Sequence, residues 1–504
     1  MPAPKSPSRA PAPAPSLRAH PHLYEINTWA WLEELSLRSK RSIKLASVPD
    51  AEWDSLVARG FDIVWLMGVW KRSRAARRVA LEPAGTASYA DALPGWKPKD
   101  VVGSPYAVAE YTPDPRIGDW DALDRVREKL RKRGMSLFLD FVGNHTALDH
   151  PWTRKHPEFY VQGTKRDFDR DPSSFLRIAK KGGPTFLALA RDLYFPPWRD
   201  AAQLNHFHPG MRAAQLDDLR TIAAHCDGVR CDMAMLQLND IFAKIWTPLL
   251  DGEPPPATEF WTEARAAVPK VILLAEAYWG TEQRLLDLGI AFAYDKVLYD
   301  AVRDANVDQV RASVAAPLEV QSRFARFLEN HDEARCAATF GARLPAAGTL
   351  MSTLPGMRLY HQGELEGRKI HLPIQLRMAA AEPPDPAAVA FFDKVLRTTN
   401  EAVFHEGQWS LLPVMPEGDG TSGNLIVYEW RSEKAWKMMV VNLSANPSQG
   451  RVHLGDRVSP TAEYTFDDQL NDVRYPRHGE ELHNIGLFVR RDGFQAHLFD
   501  ITSA

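Results

Sequence analysis

Eight short apolar runs, separated by longer amphipathic segments, constrain the fold of this chain more than any other feature. They lie at 22–29, 61–68, 136–142, 227–233, 271–277, 290–295, 323–330 and 357–363. Near-continuous apolar runs are typical of strands that are buried on both faces, as in a parallel sheet. Strands that alternate with helical segments favour an α/β fold, and eight of them predict a (β/α)8 TIM barrel.

The segments between the runs have the pattern of amphipathic helices. In the segment 119–134, Asp119 can cap a helix, and Gly134 can end it. Leu123, Val126 and Leu130 then share one face, which we expect to pack on the barrel. The segments 209–225 and 385–399 have similar patterns and predict two more helices.

The spacing of the runs predicts the domain organisation. About 80 residues separate the third and fourth strands, and a structureless loop of that length is implausible. We therefore place an inserted subdomain, subdomain B, at 146–205 within a catalytic barrel at 21–405. Short strand-like runs at 424–431, 434–444 and 486–501 predict a C-terminal antiparallel β-sandwich domain at 406–504. Residues 1–20 are rich in Pro and Ala and predict a disordered tail.

Composition excludes several classes of function. The 504 residues carry a formal net charge of -3, whereas nucleic-acid or anionic-membrane partners require a strong basic excess. No stretch approaches the roughly 18 apolar residues of a membrane span, and the N-terminal segment lacks the apolar region of a secretory signal. Three cysteines without a CxxC pair argue against a disulfide framework. We expect a cytoplasmic protein.

Four of the predicted barrel strands end in polar residues that an apolar core would reject. The four ends read DFVGNH (140–145), GVRCD (228–232), LLAEAYW (273–279) and FLENHDEAR (327–335). The carboxyl ends of barrel strands build the active site of this fold, so acids at these places indicate catalysis. An isolated Asp at a strand end is commonly a cap, but four such ends on four strands favour a shared site.

Two carboxyl groups in one cleft suit glycoside hydrolysis, in which one is the nucleophile and the other the general acid and base. Arg230 and Asp232 point to the same strand face, so we expect the guanidinium to hold Asp232 ionised. Apolar and aromatic neighbours of Glu276 are expected to favour its protonated form. A structural salt bridge without catalytic role is the alternative for Arg230 and Asp232.

Taken in order, these four motifs resemble the conserved regions of the alpha-amylase superfamily, glycoside hydrolase family 13, over about residues 22–445. Two further segments, GSPYAVAEYTPDPRIGD (103–119) and QLNHFHP (203–209), resemble the family's post-strand-two segment and the motif that closes its inserted domain. The resemblance implies retaining double displacement at an α-glycosidic bond of an α-glucan or α-glucoside oligosaccharide. It implies Asp232 as nucleophile, Glu276 as acid and base, and Asp332 as transition-state stabiliser.

The resemblance also implies a set of supporting residues. The implied substrate-binding residues are Tyr106, Asp140, His145, Arg230 and His331, and Trp279 is a candidate for the leaving-group side. No cofactor is required by this chemistry. Asn144 matches the family's calcium ligand, and Ca²⁺ prefers such oxygen ligands; a hydrogen-bonding role within its loop is the alternative.

Departures from the family pattern bear on the substrate. Met235 and Leu236 stand where starch-degrading members carry a Lys-His pair, and Gly103 stands where members specific for short glucosides carry an acid. A transglycosidase or sugar isomerase of the same family would use the same three acids. A non-catalytic sugar-binding scaffold is the alternative from another class, and Asp232→Asn would discriminate it.

Overall fold

The computed structural model describes residues 17–503 and contains a closed barrel of eight parallel strands. Each strand lies within one of the eight apolar runs, so the predicted TIM barrel is confirmed. The barrel strands, numbered one to eight along the chain, are His22–Asn27, Ile63–Met67, Ser136–Phe141, Gly228–Cys231, Ile272–Ala275, Phe292–Tyr294, Phe324–Phe327 and Met357–His361.

Helices surround this barrel and include the three that the sequence predicts. Asp119 caps its helix as expected, because its side chain accepts a hydrogen bond from the Ala122 N–H at 2.8 Å. The α-helices of the barrel domain are Thr28–Ser39, Asp50–Ala58, Arg74–Ala80, Pro83–Thr86, Tyr89–Ala92, Trp120–Arg131, Pro209–Ala224, Asn239–Trp246, Phe260–Ala267, Glu282–Asp287, Lys296–Arg303, Val307–Val314, Leu318–Gln321, Cys336–Thr339, Leu344–Thr353, Pro386–Thr399 and Val403–Glu406.

The insertion after strand three is built from small antiparallel sheets. Its first and last strands pair with each other, with His145 opposite Gln203, which closes the insertion close to the barrel. The elements are strands His145–Ala147, Gln162–Gly163, Phe175–Ile178, Thr185–Ala188 and Ala201–Gln203, with helices Trp152–Lys155 and Lys165–Arg170. A further short pair, which the sequence did not predict, joins Trp70–Arg72 to Val108–Pro113.

The C-terminal domain consists of a six-stranded and a three-stranded antiparallel sheet. Its strands are Gln408–Leu412, Val414–Met415, Leu425–Arg431, Trp436–Asn442, Ser448–Val452, Glu463–Asp468, Val473–His478, Leu487–Arg491 and Ala496–Ser503, with one helix, Gly479–Asn484. Alternate residues of a strand face opposite ways: Ile426, Tyr428 and Trp430 join the barrel's hydrophobic core, whereas Leu425 and Val427 fill the core of the C-terminal domain.

The predicted N-terminal tail, residues 1–20, is described by the structure only from residue 17 onward. Its residues 1–16 lie outside the described residues, but residues 17–20 pack on the barrel. Arg18 pairs with Asp62 at 2.7 Å, and the His20 ring meets Trp430 edge-on at 5.1 Å. Among helices within 17–503, none combines the length and apolar character needed to cross a membrane.

Candidate active site

Arg230 lies at the centre of the carboxyl end of the barrel and joins two of the predicted catalytic acids. Its Nη1 donates to Asp232 Oδ1 at 2.7 Å, and its Nη2 donates to Glu276 Oε2 at 2.8 Å. The carboxylates come from strands four and five, which pair directly through Val229–Leu273 and Arg230–Leu274. One planar guanidinium therefore holds two acids side by side, which a lysine ammonium could not do with the same geometry.

Aromatic rings enclose the same guanidinium. The Arg230 Cζ atom lies 5.3 Å from the ring centroid of Trp65, 5.2 Å from Tyr106 and 5.7 Å from Tyr294. The arginine side chain is fully buried, so the rings replace the water that would otherwise solvate its charge. This environment fixes the position of the guanidinium against both acids.

The environment of Asp232 differs from what the strand pattern predicts. Burial raises the pKa of Asp232 to about 8, the neighbouring charge of Glu276 adds to the rise, and Arg230 opposes it. The prediction that Arg230 would keep the pKa of Asp232 low is therefore wrong in direction. The reason is that Asp232 is only 5% exposed and shares its cation with Glu276, so desolvation outweighs the attraction.

Glu276 is buried, as predicted, but its carboxylate has polar rather than apolar partners. Besides Arg230, the Met233 N–H donates to Oε2 at 2.7 Å, and the Tyr278 hydroxyl donates to Oε1 at 2.7 Å. The apolar residues beside Glu276 in the sequence belong to the strand that carries it. Its donors are supplied by strand four, by the segment that follows strand four and by the loop after strand five.

Asp332 and His331 lie at the end of strand seven and form a second charged group. His331 Nε2 lies 3.0 Å from Asp332 Oδ2 and 2.7 Å from the Tyr106 hydroxyl, while Nδ1 lies 2.5 Å from Glu25 Oε1. Burial disfavours the imidazolium, but Asp332 and Glu25 raise the pKa of His331 well above its ordinary value. Burial likewise opposes ionisation of Asp332, but His331 and Arg230 lower its pKa to about 2.

Glu25 is a site residue that the sequence reasoning missed. It lies in strand one, is fully buried, and approaches His331 across the barrel. Its second carboxylate oxygen, Oε2, has no hydrogen-bond partner among the described residues. The sequence did contain a sign of its role. Glu25 is a charged residue within the apolar run HLYEIN, just as Arg230 is a charged residue within the apolar run 227–233.

Asp140 and His145, the two predicted residues of strand three and its end, adjoin this cluster. Asp140 accepts hydrogen bonds from Trp65 Nε1 at 3.0 Å and the Gly68 N–H at 2.8 Å, and burial raises its pKa. Burial lowers the pKa of His145 to about 4, so its imidazole is neutral. The structure thus brings Tyr106, Asp140, His145, Arg230 and His331 to one end of the barrel with the three acids.

Trp279 lies at the edge of the site, beyond the charged cluster. Its ring meets that of Tyr194 edge-on at 5.2 Å, and its backbone φ is +66°, which is strained for a bulky residue. Met235 and Leu236, which stand where the family has its Lys-His pair, are fully buried. Both side chains pack in hydrophobic cores, so neither offers the polar group that the family's Lys-His pair supplies.

The surroundings of Asn144 do not fit a calcium ion. Gln203 Nε2 donates to Asn144 Oδ1 at 3.0 Å and to its backbone carbonyl at 3.0 Å, and Asn144 Nδ2 donates to Gln203 Oε1 at 3.3 Å. An N–H donor thus occupies the oxygen that calcium would need. Within 17–503, no group of three or more His, Cys, Asp or Glu side chains could hold a metal. In this structure Gln203 is a hydrogen-bond partner of both the oxygen and the nitrogen of the Asn144 side-chain amide.

A cavity of about 470 Å³ opens beside His331. It lies over strands one, seven and eight, on the side of the barrel opposite Glu276 and Trp279. His331, Arg335, His361 and His371 contribute polar groups, whereas the residues at 378–381 contribute mainly aliphatic surface. The cavity provides space for a ligand that extends away from Glu276.

The amino-acid sequence is similar to those of known carbohydrate-active proteins. Residues 58–240 match the alpha-amylase catalytic domain family. Alpha-amylase 3 of Dictyoglomus thermophilum is 24% identical over 297 residues, covering 52% of this chain and 54% of that protein. An alpha-1,4-glucan:maltose-1-phosphate maltosyltransferase of Cereibacter sphaeroides is 29% identical over 127 residues, covering 23% of this chain and 17% of that protein.

Solved structures resemble this protein in fold over nearly the whole chain. An alpha-amylase from Lactobacillus plantarum superposes with a TM-score of 0.67 at 19% identity, covering 95% of this chain and 98% of that one. By sequence, the chain spans about half the length of the Dictyoglomus relative. The family match over residues 58–240 supports the resemblance of this chain to the alpha-amylase superfamily, glycoside hydrolase family 13, and the agreement with the solved structure shows a shared fold.

Proposed function

We propose that this protein hydrolyses α-glucosidic bonds of oligosaccharides with retention of configuration and without a cofactor. The observation that supports this is the single guanidinium of Arg230 that holds Asp232 and Glu276 side by side. Retaining enzymes place their two carboxyl groups about 5–5.5 Å apart, whereas inverting enzymes leave roughly 6.5–9.5 Å for a water molecule. Because Asp232 and Glu276 contact the same guanidinium, their arrangement supports the shorter carboxyl spacing of a retaining enzyme.

Double displacement assigns each acid a step. Arg230 contacts Asp232 Oδ1, so Oδ2 attacks the anomeric carbon and forms a glycosyl ester as the bond to the leaving oxygen breaks. Glu276 gives its proton to that oxygen. Water then attacks the anomeric carbon, returns a proton to Glu276 and releases Asp232 as carboxylate. The proton that Glu276 gives to the leaving oxygen is thus replaced by one from the attacking water.

Burial raises the pKa of Asp232 to about 8, so the free site retains a proton at neutral pH. The productive form carries it on Glu276, where the Tyr278 hydroxyl lies against Oε1, and leaves Asp232 ionised.

Asp332 stays ionised because its pKa is lowered to about 2. Its carboxylate remains 43% exposed, so it can accept hydrogen bonds from substrate hydroxyls, and negative charge there stabilises the oxocarbenium-like transition state. His331 holds this carboxylate in place. The cavity beside His331 would receive the part of the substrate on the non-reducing side of the cleaved bond.

Product analysis with Asp232→Asn tests the proposal. Wild-type protein incubated with maltooligosaccharides should release glucose or maltose, and the variant should lose at least about 1,000-fold in kcat while still binding sugar. Asp468→Asn, which alters a buried carboxylate of the C-terminal sheet, is the matched control and should keep its activity. Sugar binding without turnover in the wild type would instead support a non-catalytic scaffold.

Transfer to a sugar acceptor is the second candidate function, favoured by the similarity to the Cereibacter maltosyltransferase. The same glycosyl ester would react with a sugar hydroxyl in place of water. Chromatography of the maltooligosaccharide products separates the two: shorter sugars alone indicate hydrolysis, whereas longer or rearranged sugars indicate transfer or isomerisation.

We also propose a cytoplasmic location. All three cysteines, Cys226, Cys231 and Cys336, are free and buried, which suits a reducing compartment. Fractionation of producing cells with immunodetection tests this, and recovery of the protein outside the cytoplasmic fraction would contradict it.

A further inference from the structure

A second cavity, of about 460 Å³, lies against helix Thr28–Ser39 and is separate from the active site. Residues 29, 32, 33 and 36 of this helix line it, whereas residues 30, 34 and 37 line the cavity beside His331. The two cavities share no lining residue. The second cavity is large enough for a small metabolite, since ligand pockets commonly measure about 300–1,000 Å³.

The lining of this second cavity is strongly cationic. Arg77, Lys99, Arg116 and Arg377 contribute four positive charges, whereas Glu33 is the one acid among the described residues that line it. The whole chain carries a formal net charge of -3, so this concentration of cations is local. Charges of one sign that line a cavity raise the electrostatic potential inside it and attract ligands of the opposite sign.

Two of these cations have no acid within ion-pair distance in the described part of the chain. Arg77 donates from Nε to the Val101 carbonyl at 2.7 Å and from Nη2 to the Pro98 carbonyl at 2.6 Å. These carbonyls hold the guanidinium in place without neutralising its charge. Lys99 is exposed, and its side chain has no hydrogen-bond or ion-pair partner among residues 17–503. Positive charge at the cavity is therefore available to a ligand.

The other two cations are paired, but the lining as a whole has an excess of N–H donors. Arg377 Nη2 donates to Glu33 Oε1 at 3.1 Å, and Arg116 Nη2 donates to Asp114 Oδ2 at 2.8 Å. Arg377 Nε and the indole Nε1 of Trp29 are buried and have no acceptor among the described residues. Buried N–H groups without an acceptor are rare, and both of these belong to residues that line the cavity. Such a lining suits a ligand that supplies acceptor oxygens.

We propose that this cavity binds a small phosphate monoester of a sugar, at a site distinct from the active site. A phosphate group carries up to two negative charges and three acceptor oxygens, so several cations can donate to it at once. A carboxylate has only two oxygens, and a single guanidinium satisfies both. Glu33 and the exposed Ser42 also line the cavity and can form hydrogen bonds with the hydroxyl groups of the sugar.

Isothermal titration calorimetry with glucose 6-phosphate tests the position of the site. Lys99→Glu should weaken binding at least roughly 10-fold, because it removes a charge-assisted contact and adds a negative charge beside the phosphate. Lys99→Arg, which keeps the positive charge, should bind within about threefold of the wild type. Lys97 is an exposed lysine two positions away that does not line the cavity. Lys97→Glu is therefore the matched control and should bind within about twofold of the wild type.

Glucose and inorganic phosphate test the two parts of the ligand. Glucose 6-phosphate should bind at least about 10-fold more tightly than glucose and roughly threefold or more tighter than inorganic phosphate. Binding no tighter than that of glucose, or equal in Lys99→Glu and the wild type, would overturn the site. Equal affinity for inorganic phosphate would overturn the assignment to a sugar ester. These measurements require no turnover, so their failure is distinct from a failure of the proposed glycosidase activity.

Discussion

Replacing Arg230 by lysine should separate the charge of this residue from its geometry. The guanidinium makes two charge-assisted hydrogen bonds, at 2.7 Å to Asp232 and 2.8 Å to Glu276, and is fully buried. A lysine ammonium keeps the positive charge but cannot present two coplanar N–H groups to the two carboxylates. We therefore expect Arg230→Lys to keep one of these hydrogen bonds and lose the other.

The size of the effect follows from one lost contact. A hydrogen bond to a charged group contributes about 1.5–3 kcal/mol, and about 1.4 kcal/mol corresponds to a tenfold change in rate. Arg230→Lys should lower kcat/KM by roughly 10- to 150-fold. Arg230→Met, which leaves two buried carboxylates without a cation, should lower the free energy of unfolding by about 3–5 kcal/mol.

The assay is kcat/KM on α-glucosyl fluoride as a function of pH, with thermal unfolding as a check on folding. Arg230 opposes the rise in the pKa of Asp232, so weakening it should move the alkaline limb of the profile to higher pH. Arg326→Lys is the matched control, because Arg326 is equally buried but pairs with Asp295 at 3.0 Å. An Arg230→Lys enzyme within twofold of wild type, with an unmoved alkaline limb, would refute the reasoning.

Three further predictions follow from the site. In the wild type, kcat/KM should fall as pH rises through about 8, because burial raises the pKa of Asp232 to about 8 and the free site then loses the proton that the general acid must supply; a profile flat to pH 9.5 would contradict this. Glu25→Gln should lower kcat/KM roughly 10- to 100-fold, and its activity should begin to decline at a lower pH than that of the wild type, because Glu25 raises the pKa of His331; an unchanged profile would exclude Glu25 from the site. Dialysis against EDTA should leave kcat/KM and Tm unchanged, because Gln203 occupies the amide oxygen of Asn144; a loss that Ca²⁺ restores would overturn that assignment.

The barrel could be predicted because its strands carry a local signal. Strands such as 63–67 and 136–141 are buried along their whole length, so near-continuous apolar runs show them without knowledge of their partners. The short pair Trp70–Arg72 and Val108–Pro113 could not be predicted, since it is short and its register shifts twice. The three acids could be predicted from the same signal, because each of them lies at or just beyond the carboxyl end of an apolar run.

What the sequence could not supply is the set of contacts made when the barrel closes. Glu25 and His331 are 306 positions apart, and only the pairing of strands one and eight brings the two ends of the barrel together. The pKa of Asp232 likewise depends on burial by residues from other strands. The grouping of Arg77, Lys99 and Arg377 around one cavity is also invisible in sequence, because these residues lie on separate segments of the chain.

The sharing of one hydrophobic core by the barrel and the C-terminal sheet has a consequence for folding. Trp430 Nε1 donates to the Thr353 carbonyl at 2.7 Å, and Tyr428 and Trp430 are fully buried against the barrel. A chain cut after residue 405 would lose Ile426, Tyr428 and Trp430 and would expose the apolar barrel residues that they cover. The two domains should therefore unfold in a single cooperative transition, and the C-terminal domain should act as a permanent part of the enzyme rather than as a module that can be exchanged.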